Sequence, residues 1–147
     1  MSAASSTVMS KTTQLWMLMA IALYCASASA DVEVTYDETV NFAYLRTFAW
    51  TEGTPPEDAS LEKRIEAAIQ RELIVKGFRK DTEDPDFVIA IHFEGDTVII
   101  EMRDIDSDEI FWRGVGSGAI PQKEKKLERK INQAAAKMFR KFPPQSK

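Results

Sequence analysis

Between residues 87 and 115 the chain alternates apolar and polar side chains through three short segments, joined by links too short for anything but hairpins. In the first, Phe87, Ile89, Ile91 and Phe93 share one face of a strand, and Val88, Ala90 and His92 share the other. Gly95-Asp96 turns the chain into a second, where Val98, Ile100 and Met102 alternate with Ile99, Glu101 and Arg103. Asp106-Ser107-Asp108 turns it into a third, over residues 109–115. A parallel crossover takes a dozen residues or more, so these segments are expected to form an antiparallel meander. Its strongly apolar face must be buried against another layer.

Two amphipathic helices are available for that layer. One is predicted to begin near Asp58 and Ser60 and carries Leu61, Ile65, Ala68, Ile69, Leu73 and Ile74 as a stripe. Gly77 stands where a C′ glycine would end it. The other is predicted over residues 123–141, with Leu127, Ile131, Ala134, Ala135 and Met138 as its stripe and Pro143-Pro144 as its stop. Alternation also marks a strand at Val32-Glu33-Val34-Thr35-Tyr36, and Thr47-Phe48-Ala49-Trp50 reads as a second short strand after the aromatic loop around Phe42 and Tyr44. The expected fold is therefore α+β, a two-layer sandwich with a mostly antiparallel sheet and both helices on one face. Trp50 and Trp112 are read as core beneath the helices. Arg113 would then point from the opposite face, near Glu101 or Arg103. That second face is expected to collect Val88, Ala90, Ile99, Phe111 and Val115, an apolar patch of the kind that marks a partner surface unless a loop covers it.

The first thirty residues read as an address rather than as structure. Lys11 precedes an apolar run over residues 15–24, and Ala28-Ser29-Ala30 supplies the small residues of a signal-peptidase site. Residues 1–30 are thus expected to be a secretory signal peptide, with cleavage leaving Asp31 at the mature N-terminus. The remaining chain, 31–147, is expected to be one α+β domain with no transmembrane helix. Cys25 is the only cysteine. The bulky Tyr24 before it is unlike the small residue that lipoprotein processing requires, so the thiol is expected to leave with the peptide. An exported compartment, the periplasm with an outer-membrane association, is the expected location.

Charge is unevenly spread along this chain. The formal net charge is −4, yet residues 31–120 carry 9 basic and 21 acidic side chains, and residues 121–147 carry 9 basic and 2 acidic. The acidic body argues against nucleic acid as a partner. The basic end offers Lys125, Lys126, Arg129 and Lys130 as contacts for an anionic lipid or envelope polymer; the plainer expectation is a solvated helix face turned toward the body's acids.

Candidate chemistry is sparse. His92 is the only histidine and would need a partner acid or nucleophile within reach to act as a base. The alternating carboxylates Asp104, Asp106 and Asp108 resemble a calcium loop, but Glu109 and Val115 stand where that loop needs glycine and glutamate. Glu83, Asp84 and Asp86 crowd around Pro85 in an acidic turn. Nucleophile-elbow, phosphate-loop and zinc-protease motifs are missing from the sequence. No catalytic residue, cofactor or metal is expected.

Several of these segments, taken in order, resemble a known family. Thr47-Phe48-Ala49-Trp50, a helix ending Lys76-Gly77-Phe78, Asp84-Pro85-Asp86-Phe87, Asp104 followed by Ile110-Phe111-Trp112-Arg113-Gly114, and a last helix running into Phe142-Pro143 are similar to the domain of unknown function 4136 family. Its members are small bacterial envelope proteins, many of them lipoproteins, and the resemblance implies a fold and a compartment without an activity. The expected role is a non-catalytic binding or assembly accessory of the cell envelope. Its partner would be another envelope protein or, alternatively, an anionic surface; an enzyme using His92 and the acidic turns is the third reading.

Overall fold

A computed structural model describes residues 30–145. They form six strands, β1 (Asp31–Tyr36), β2 (Thr47–Trp50), β3 (Arg79–Lys80), β4 (Phe87–Glu94), β5 (Thr97–Asp104) and β6 (Ile110–Ser117), and two α-helices, α1 (Ala59–Val75) and α2 (Leu127–Phe139). The strands make one sheet in the order β1-β6-β5-β4-β2-β3. The β4-β5-β6 meander is antiparallel, and β1 adds to it antiparallel with Val34 opposite Gly114.

The sheet is mixed, because β2 runs parallel to both β3 and β4. Here α1 supplies the long crossover that a parallel pair requires. Asp58 caps that helix by accepting from Ser60 N–H at 2.9 Å, and Gly77 ends it at φ +89°, a conformation that favours glycine. The second helix lacks a side-chain cap at either Lys123 or Lys126, and enters through a 3₁₀ turn at Glu124–Lys126.

Both helices lie on one face of the sheet. Phe87, Ile89, Ile91, Val98, Ile100, Met102 and Trp112 meet Ile65, Ile69, Leu73, Ile131, Met138 and Phe139 in one buried cluster. Trp112 stacks on Phe139 at 5.2 Å between ring centroids, as its place beneath the helices requires. Arg71 Nη1 donates to Asn132 Oδ1 at 3.2 Å and ties the helices together.

Phe111 is a correction. A β-bulge shifts the register after Met102, so that Met102 opposes Trp112 while Arg103 opposes Ile110. Phe111 is thereby turned into the helix-side core, 5.8 Å from Phe87 and 5.7 Å from Phe42. The second face consequently loses the largest member of its expected apolar patch. Ala90 and Ile99 are buried there, and Val88 and Val115 are half-buried.

Candidate functional site

On the second face the meander brings together residues distant in sequence. His92 and Glu101 sit on neighbouring strands, and His92 Nε2 lies 3.1 Å from Glu101 Oε2. Arg103 Nη2 donates to the same oxygen at 2.7 Å, and Arg113 Nε lies 3.6 Å from Oε1. Arg113 therefore stands beside Glu101, as strand alternation requires. Arg103 reaches on to Asp108 at 3.4 Å, while its buried Nε lacks a hydrogen-bond partner among the described residues. Burial opposes ionisation of Glu101. The hydrogen bond and charge of Arg103, with the hydrogen bond from His92, outweigh it and hold the carboxyl below its ordinary value.

The far nitrogen of His92 meets the loop that comes after β2. Thr54 N–H donates to His92 Nδ1 at 3.1 Å, and Thr54 Oγ1 lies at the same distance. Gly53 permits this approach, since a Cβ there would run into the Ile91 carbonyl. Hydroxyl, imidazole and carboxylate thus stand in line as in a nucleophile-base-acid arrangement. Two details oppose a relay. The Nδ1 lone pair that would take the hydroxyl proton already accepts from the Thr54 backbone, and the Glu101 oxygens are shared with two arginines. The cluster clamps the 51–54 loop onto the sheet, a link that sequence spacing does not signal.

The acidic turns do not converge. Asp86 accepts from the backbone N–H groups of Arg46 at 2.7 Å and Thr47 at 2.9 Å, fastening the start of β2 to the start of β4. Burial works against its charge, but those backbone donors prevail and lower its pKa. Glu83 and Asp84 are exposed, their N–H groups donating to Asp81 Oδ1. Asp104 Oδ1 accepts from the N–H groups of Asp106 and Ser107 at 2.9 Å each and so shapes its own hairpin turn.

An open groove lies on the helix side, between β1 and the C-terminal end of α2. The groove, of about 370 Å³, is floored by Val32, Val34, Tyr36, Trp112, Met138 and Pro144 and edged by Lys137, Arg140 and Lys141. Val34 is 36% and Tyr36 44% exposed, although both side chains face the helix layer. Lys137 Nζ donates to the Ala30 carbonyl at 3.0 Å. Of the residues assigned to signal cleavage, Ala28 lies outside the described residues, Ala30 is buried, and Asp31 opens β1. Lys125, Lys126 and Arg129 are exposed and Lys130 half-buried; none of the four makes an ion pair among the described residues. No helix of the described residues is long and apolar enough to cross a membrane.

The family described as domain of unknown function (DUF4136) matches over residues 32–97 and 92–144. This chain belongs to it. No curated protein matches the sequence. Among solved structures, a PDZ domain protein from Parabacteroides distasonis is similar, with a TM-score of 0.58 at 16% identity; the match covers 89% of this chain. The chain spans 40% of that protein's length. Two dodecamer structures of PelC from Paraburkholderia phytofirmans are similar with TM-scores of 0.54, at 13% and 12% identity, covering 75% of this chain and 94% of theirs. At these identities the likeness is one of fold.

Proposed function

We propose that this DUF4136 chain is an exported, non-catalytic accessory domain of the bacterial envelope, which works by docking another envelope protein. The observation that carries the reading is the β1-α2 groove: apolar side chains left half-covered, beside basic residues, on a domain whose polar cluster is engaged with itself. Export rests on the N-terminal apolar run and the small residues at Ala28 and Ala30. Periplasmic placement rests on that address, and outer-membrane association on the resemblance to envelope proteins of the family. The fold is compatible with assembly, since PelC of this fold is a dodecamer.

The test is a photo-crosslinking amino acid placed at Tyr36 in the full chain, expressed in cells and compared with one at Tyr44, which is 79% exposed and does not line the groove. A discrete envelope-protein adduct from position 36 and none from 44 is expected. Equal adducts from both positions, or none, refute the reading. A second reading, attachment to an anionic surface, is favoured by the exposed Lys125, Lys126 and Arg129, which make no ion pair among the described residues.

A further inference from the structure

The two ends of the sheet are built differently. The β3 end is two residues long and carries exposed Arg79 and Lys80, the short, charged form by which proteins blunt a sheet edge. The β1 end is six residues long. Its backbone polarity follows from one bond: Asp37 N–H donates to the Phe111 carbonyl at 2.8 Å, in register with Tyr36 opposite Trp112. Antiparallel pairing alternates, so Asp31, Glu33 and Thr35 direct their N–H and C=O groups to β6. Those of Val32, Val34 and Tyr36 point away from the sheet. The same three residues turn their side chains into the groove, so an added strand would meet backbone partners and pocket together.

We propose that the outer edge of β1 receives an extended acidic segment of a partner protein as a seventh strand. This rests on the docking role above and specifies its occupant. Charge selects the partner: side chains of the added strand that face the helix layer would lie beside Arg140 and Lys141. A second copy of this chain fits poorly. Antiparallel pairing centred on Val34 would set Asp31 of each copy beside Asp37 of the other and turn both Arg140-Lys141 rims toward the same joint.

The experiment measures binding of a labelled peptide, Thr-Glu-Thr-Val-Thr-Glu-Thr, to the protein purified from cells expressing the full chain, together with amide hydrogen exchange. Binding should slow exchange at Val32, Val34 and Tyr36 and leave Glu33 and Thr35, already paired to β6, unchanged. Val34→Pro removes an outward N–H that β6 does not use, so it should preserve the fold and abolish binding. Arg140→Gln with Lys141→Gln should weaken binding about fivefold to tenfold, the scale of two exposed ion pairs. No binding by the native protein, binding that survives both sets of substitutions, or binding without protection at Val34 overturns the proposal. Self-association that protects Val34 also overturns it and makes a second copy the occupant. A crosslink from position 36 with no peptide binding would leave the docking role standing and remove only the added strand. Peptide binding without a crosslink in cells would do the reverse.

Discussion

Gly114 leaves no room for a side chain: a Cβ there would stand 2.7 Å from the Trp112 ring and 3.2 Å from Met138 Sδ. Gly114→Ala should therefore cost about 1–3 kcal/mol, the range for overpacking, as read by urea denaturation. Unchanged stability would mean that α2 can retreat from the sheet without loss. Glu101 makes a pH-dependent prediction. Its folded pKa is depressed, so its contribution is fully present above the unfolded value and is lost as pH falls through the folded one. Glu101→Gln should cost about 1–3 kcal/mol at pH 7, leaving Arg103 and Arg113 without their acid. The gap between variant and native protein should begin to narrow as pH falls below the unfolded glutamate value of about 4.3; a constant gap in urea titrations from pH 7 to pH 3 would contradict the assignment. Period-two alternation was enough to place Trp112 in the core and Arg113 beside Glu101. It misplaced Phe111, because a single bulged residue reverses the face of its neighbours along the strand. Thr54 was invisible as a partner of His92, since nothing local encodes where a loop 38 residues away will land.

At the scale of elements, the meander and both helices were legible, each carrying its period over eight or more residues. The parallel half of the sheet was not. β2 reads as a strand, but its four residues do not show a parallel partner and the two of β3 show no strand at all; the start of β2 is fixed by Asp86, whose carboxylate reads as an acidic turn in sequence. In the fold it holds the Arg46 and Thr47 amides, while Thr47 Oγ1 accepts from Asp86 N–H at 3.0 Å. Asp86→Ala should cost about 1–3 kcal/mol by leaving those amides without their charged acceptor. It should also speed amide exchange in β2 more than in β5 or β6. Uniform loss of protection across the sheet would show that β2 has no independent stability. The groove was likewise unreadable, because it depends on where α2 stops relative to β1.

Across the whole molecule, the split between an acidic body and a basic C-terminal segment persists in space: Lys125, Lys126 and Arg129 remain exposed without acidic partners among the described residues. The side chains of Leu127, Ile131, Ala134 and Met138 pack toward the core, so this helix offers its cations outward. Near an anionic membrane each is worth about 1 kcal/mol at most. The acidic remainder is repelled by the same surface, and screening confines both effects to about 8–10 Å at physiological salt. The expected balance is weak attachment at low ionic strength and release near physiological salt, a weak surface attraction beside the proposed β1 docking site. Flotation of the protein with phosphatidylserine-containing liposomes at about 20 and 150 mM salt measures it, on either side of a Debye length of 10 Å. Changing Lys125, Lys126, Arg129 and Lys130 to glutamine should abolish the low-salt binding. It should leave peptide binding at β1 within about twofold, because Arg140 and Lys141 remain and distant exposed charges are screened. Liposome binding that persists in the quadruple variant would assign the attraction to the groove rim instead, and its complete absence at low salt would remove the anionic surface and favour the protein partner.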